Sequence, residues 1–212
     1  MIVVSGRAEA SIPADRATLS IAVETRAATA ASAGSDNARI QQAVLTALKQ
    51  AGVDPAKITT AGYTVGPEWR YEQGTRSPMP TGYAAHNTVR VDVTQLELIG
   101  KLIDASLAAG ANRIDGVQFS ASSTAEARRG ALATAIANAR ADAQTMAHAA
   151  GGTLGRLVEV STERFDAPPG VYAQMLRAGP AGGSYVETPI EPRAIQINVV
   201  VVTRWQLVLP AP

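Results

Sequence analysis

The sequence predicts an α+β fold, a mainly antiparallel sheet covered by helices, in the order β-β-α-β-β-α-β-α-β-β. Three observations carry that reading. Several segments alternate apolar and polar residues with a period of two. Three others repeat apolar residues at helical spacing and close on glycine. The elements neither alternate as regular βα units nor segregate into halves. Nothing resembling an interdomain linker occurs before residue 166, so 1–212 reads as a single domain with a Pro/Gly-rich insert at about 166–192.

Residues 2–10 form the first expected strand, with Gly6 marking a bulge or a close approach of another backbone. Pro13-Ala14-Asp15 makes a turn, and Ala17, Leu19, Ile21 and Val23 line one face of a strand over 17–25. A helix follows, starting at Thr29 or at Asp36 and running to Ala51. Its stripe is Ile40, Val44, Ala47, Leu48 and Ala51, with Gly52 just past the end. Gly34 leaves the start open, because glycine costs a helix about 1 kcal/mol relative to alanine. Residues 57–71 and 83–93 read as a long hairpin joined by loop chemistry over 73–82.

Thr94 with Glu97 has the spacing of a capping box, and opens a helix faced by Leu98, Ile99, Leu102, Ile103 and Leu107 and closed by Gly110. Residues 113–121 make a strand. Ser123 with Glu126 is a second capping box, opening the longest helix, which ends at Gly151-Gly152. Its expected seam is Leu132, Ile136, Ala139, Ala143, Met146 and Ala150. A strand runs from Leu157 to about Phe165. The last strand spans 194–209, with Ile195, Ile197, Val199, Val201 and Trp205 on one face.

Composition excludes several classes. Lys and Arg number 19 against 18 Asp and Glu, a formal net charge of +1, which is no footprint for nucleic acid. The absence of Cys removes disulfides, thiolate metal sites and Cys nucleophiles. No apolar run approaches the ~18 residues of a membrane span. His86 and His148 lack the converging ligands or H-x-x-x-H spacing of a metal site, and His148 near a helix C-terminus suits the helix dipole. Gly151-Gly152-Thr153-Leu154-Gly155 follows a helix and lacks a P-loop lysine, so it reads as a helix end entering a strand. With no G-x-S-x-G elbow and no carboxylate pair, the sequence points to no catalytic, cofactor-binding or metal-ligating residue.

The least ordinary feature is aromatic. Tyr63, Trp69, Tyr71 and Tyr83 are four of the nine aromatic residues, all in the hairpin. They read either as cross-strand packing or as a projecting ribbon that anchors another subunit. Tyr172, Met175, Leu176 and Tyr185 of the insert join them as interface candidates, on a stretch that holds five of the twelve prolines.

A series of short words runs through nearly the whole chain: Val3-Val4-Ser5-Gly6-Arg7-Ala8, then Pro13-Ala14-Asp15-Arg16-Ala17; Ile58-Thr59-Thr60 with Tyr63-Thr64-Val65 and Pro67. Further on stand Tyr83-Ala84-Ala85-His86-Asn87-Thr88-Val89-Arg90-Val91, Gly110-Ala111-Asn112-Arg113-Ile114 leading to Phe119, and Glu126-Ala127-Arg128. Ala150-Gly151-Gly152-Thr153-Leu154-Gly155 and Glu191-Pro192 complete the series. In order and spacing they resemble the SIMPL-domain family, bacterial envelope proteins that include a periplasmic immunogenic protein; the departure lies near Gly34. The resemblance implies a periplasmic or otherwise exported protein, homo-oligomers, and an association with oxidative or envelope stress. It supplies no catalytic residue. It also implies an export signal ahead of Met1, where the chain opens directly on a strand. The expectation is a non-enzymatic protein that associates with itself, without cofactor or nucleic acid. The alternative is a hydrolase or small-molecule-binding enzyme whose site converges only in three dimensions, marked by a deep polar pocket that includes His86 or His148.

Overall fold

The structure is a computed structural model that describes residues 1–70, 79–162 and 188–210. Among these residues the chain forms β1 (Ile2–Ile12), β2 (Arg16–Ala27), α1 (Ala30–Gln50), β3 (Ile58–Arg70), β4 (Met79–Val93), α2 (Ile99–Ala108), β5 (Arg113–Ser120), α3 (Ala125–Ala149), β6 (Thr153–Thr162) and β7 (Ile195–Val208). The α+β class and the order of elements are those the sequence predicts. All strand pairing is antiparallel, in two sheets ordered β1-β7-β6 and β3-β4-β2-β5. The contacts divide the described residues into two compact units.

The first unit holds residues 1–13, 121–162 and 193–210. Its three-stranded sheet is covered by α3, whose buried residues are Ala131, Ala135, Ala139, Ala143 and Ala147. This corrects the expected seam: Leu132 and Ile136 pack at its margin, and Met146 is exposed. The reason stands on β1, where a Cβ added to Gly6 would lie 1.9 Å from the Ala135 carbonyl oxygen and 2.8 Å from the Ala139 Cβ. Helix and sheet approach so closely that only the smallest side chains fit between them, and Gly6 is a close-approach point. Trp205 and Thr203 are also buried on β7. The indole Nε1 donates to Thr203 Oγ1 at 2.9 Å, so neither polar group is left unpaired. β6 begins at Thr153 instead of Leu157, because Thr153 and Leu154 already pair with Val208 and Leu207. Gly152 permits this, since a Cβ there would meet the Val208 oxygen at 2.5 Å.

The second unit holds residues 14–120, as far as described, and 188–192. Its core is made of larger, branched side chains: Leu19, Ile21 and Val23 of β2, Val89, Val91 and Val93 of β4, Val44 and Leu48 of α1, and Ile99, Leu102 and Ile103 of α2. Ile190, from the end of the expected insert, packs on the same core. Beside it Thr188 Oγ1 donates to Asp104 Oδ1 at 2.7 Å. The rest of the insert up to residue 187 lies outside the described residues.

Helix boundaries divide into those set by local chemistry and those that motif spacing misreads. Thr29 is the N-cap of α1, its side chain accepting from the Ser32 N–H at 3.2 Å, so the earlier of the two expected starts is the observed one. Neither expected capping box forms. The chain enters α2 through a tight turn at Leu96–Leu98, which puts Thr94 and Glu97 ahead of the helix proper, and the N-cap of α3 is Thr124, without a side-chain capping bond. The C-termini follow expectation. Gly52, Gly110 and Gly151 have φ of +101°, +107° and +73°, a region that favours glycine. Each is followed by an N–H that returns to the helix, Val53 to Leu48, Ala111 to Ser106 and Gly152 to Ala147, which is the Schellman arrangement.

Candidate interaction surface

The strands β3 and β4 make the most extensive pairing in the second unit, from Ile58 opposite Val91 to Arg70 opposite Met79. β4 starts at Met79, four residues earlier than expected. A register shift between Glu68 and Trp69 lets Pro80 and Met79 stay paired, so this part of the expected loop is strand. β3 is the sheet's edge, and apart from Ile58, Gly66 and Glu68 its residues are all exposed.

The register gives this ribbon two chemically distinct faces. On one, Tyr63 lies opposite Asn87, Val65 opposite Ala85, and Pro67 opposite Tyr83. The Tyr63 hydroxyl reaches α1: a Cβ on Gly34 would lie 3.2 Å from it. This explains a glycine inside a helix, since the missing side chain makes room for a tyrosine from the sheet. Tyr63 and Trp69 are each 53% exposed and Tyr83 is 37% exposed, with Val65 and Met79 exposed as well. Tyr63 and Trp69 thus stand at the surface on β3, with Tyr83 beside them on β4, and among the described residues the outer side of β3 has no strand partner. Tyr71, Tyr172, Met175, Leu176 and Tyr185 lie outside the described residues.

The opposite face is charged. Glu24 lies opposite His86, which lies opposite Thr64. Arg26 Nε donates to Glu68 Oε1 at 2.7 Å and its guanidinium also pairs with Glu24. The hydrogen bond to Glu68, and then the charges of Glu24 and Glu68, raise the Arg26 pKa above its ordinary value. The group is at the surface, and such pairs contribute little to stability. His86 Nε2 lies 3.1 Å from Thr88 Oγ1, a local strand contact. His148 is exposed in the last turn of α3.

Among the described residues no group of three or more His, Asp or Glu side chains is placed to hold a metal ion. A cleft of about 290 Å³ is lined by Leu96, Glu97, Gly100, Thr188, Pro189 and Ile190. Neither histidine borders it, and Glu97 is its one acidic or basic lining residue. No described helix is long and apolar enough to cross a membrane.

Comparison with known proteins bears on the same point. The family model SIMPL, described as a protein of unknown function (DUF541), matches residues 2–205. The 26 kDa periplasmic immunogenic protein of Brucella melitensis is 30% identical over 209 residues, covering 94% of this chain and 83% of that protein. The uncharacterized protein YggE of Edwardsiella ictaluri is 32% identical over 180 residues, 85% of this chain and 75% of its own. Its namesake in Escherichia coli is 31% identical over 207 residues, 97% and 82% of the two chains. A match over nearly the whole length, on a fold built in the order the words of the sequence predict, establishes that the chain belongs to the SIMPL family.

Proposed function

We propose that this chain is a non-enzymatic, self-associating protein of the cell envelope, with a protective role in oxidative or envelope stress. The observation that carries the self-association is the exposed strip of Tyr63, Val65 and Trp69 on the edge strand β3, with Tyr83 beside it on β4. Aromatic side chains concentrate the energy of protein interfaces, and monomers seldom leave such patches uncovered. An edge strand adds unpaired backbone donors and acceptors, which a second copy satisfies by laying its own ribbon alongside. The envelope address is supported by the Brucella relative, which is named as periplasmic. The stress role is an extension of the family resemblance.

Light scattering on the purified protein tests the central claim. At tens of micromolar the mass should exceed that of one 21.9 kDa chain. Trp69→Ala combined with Tyr83→Ala should lower that mass and leave the far-UV circular dichroism nearly unchanged. A monomeric wild type would refute self-association. A double variant that unfolds would make these aromatics part of the fold and remove them from the interface.

A further inference from the structure

The stripe by which α1 lies on its sheet changes chemistry halfway along. Val44 and Leu48, in the C-terminal half, enter the apolar core. In the N-terminal half the buried positions one and two turns earlier are Gln41 and Asn37, 6% and 0% exposed. Asn37 Nδ2 donates to the backbone oxygens of Val23 at 2.8 Å and Ala85 at 3.2 Å, pinning the helix across β2 and β4. Asn87, directly opposite Val23 and two residues from both Ala85 and Val89, belongs to the same core-facing row of β4. The helix runs from Asn37, bonded at the level of Ala85, towards Val44 and Leu48, which share an apolar cluster with Val89 and Val91. This direction brings Gln41, one turn after Asn37, towards Asn87, two residues after Ala85.

Four buried atoms of this amide cluster have no hydrogen-bond partner: Asn37 Oδ1, Gln41 Oε1, Gln41 Nε2 and Asn87 Oδ1. Exchanging oxygen and nitrogen on Gln41 would not help, because both of its ends are unpaired. The demand is specific: three carbonyl oxygens want donors and one amide nitrogen wants an acceptor. Buried polar groups in folded proteins are almost always satisfied, by protein or by ordered water. A water molecule offers two donors and two acceptors, and buried waters commonly make about three such bonds. An apolar guest could satisfy none of these groups. A metal cation would find carbonyl oxygens without a carboxylate, and would leave the Gln41 nitrogen unmatched.

We infer that the seam between α1 and the β2–β4 pair is a binding site for one or two buried water molecules, ligated by Asn37 Oδ1, the Gln41 amide and Asn87 Oδ1. One water donates to two of the three oxygens and accepts from Gln41 Nε2; a second completes the set. The bridging water adds to the Asn37 bonds that tie this part of α1 to the strands.

A crystal structure of the full chain, at a resolution that shows ordered solvent, is the test. The expected result is one or two ordered waters within about 2.7–3.2 Å of these amide atoms. In solution, the Gln41 side-chain amide protons should show cross-relaxation with a water of long residence time. Side chains turned to bond one another directly, a dry void, or a guest other than water would each overturn the inference. So would the absence of the long-lived water signal from Gln41. Both measurements use the wild-type chain, so neither depends on a variant folding.

Discussion

α3 and α1 each cover an antiparallel sheet, and they do so by opposite means. α3 presents a row of five alanines to a strand bearing Gly6 and Ala8, whereas α1 and its neighbour α2 present Val44, Leu48, Ile99, Leu102 and Ile103 to strands of Leu, Ile and Val. Full burial of a large aliphatic side chain is worth roughly 1.5–3 kcal/mol, and an alanine methyl much less. The alanine solution offsets this with the best helix propensity and no loss of side-chain freedom. It also leaves no room for error, because the distance between the layers is set by backbone atoms.

That contrast predicts how each unit breaks. The largest effect belongs to Gly6→Ala, one added carbon atom. Its Cβ would fall on the Ala135 oxygen, and neither the strand nor the helix can yield without separating the layers. The variant should lose at least about 3 kcal/mol, at or beyond the upper end of ordinary overpacking. Urea unfolding followed by the fluorescence of the buried Trp205 reads this directly. A midpoint unchanged from wild type would mean that the close approach is not required.

Leu48→Ala asks the converse question, removing volume from the branched core. The expected loss is about 2–5 kcal/mol, since Leu48 is fully buried and the cavity left behind is only partly refilled. Denaturation monitored by circular dichroism checks it. A loss below that range would show that the core of the second unit collapses around missing atoms, as the alanine seam cannot.

The smallest effect tests a helix end shared by neither mode of packing. Thr29→Ala removes the hydroxyl that accepts from Ser32, at a cost of about 1 kcal/mol. The same change at Thr124, whose side chain makes no capping bond, should cost measurably less. Equal losses in parallel urea titrations would contradict the assignment of Thr29 as the cap.

The order of elements was legible because it rests on near-neighbour rules. Alternation in β2, β4 and β7 exposes their faces, and a glycine four residues beyond the last buried helical position marks each C-terminus. The α3 seam was hidden for a physical reason. In a helix this rich in alanine the larger Leu132, Ile136 and Met146 draw the eye, while the buried row is chosen by a distance that only the partner strand determines. The buried Asn37 was invisible in the same way, since its carbonyl partners, Val23 on β2 and Ala85 on β4, are far away in sequence. The capping boxes failed because a Thr-x-x-Glu or Ser-x-x-Glu spacing permits the reciprocal bonds without dictating where the helix begins. The aromatic cluster could be counted in the sequence. Which of its members reach the surface depends on β3 being an edge, a fact of strand order.

The pairing of β1 with β7, Ile2 opposite Trp205, sets a timetable for folding. Contacts between residues so distant in the chain close slowly, because the entropy of a long loop is lost before the pairing returns anything. Most of the second unit is contiguous and is complete, apart from its 188–192 segment, before β6 and β7 have been synthesised. β1, the first strand made, must therefore wait for β7, nearly the last, while its free edges remain open to mispairing. The polar Ser5, Arg7, Glu9 and Ser11 on its solvent-facing side are suited to that interval, since charged and hydroxylated positions discourage an unpaired strand from aggregating.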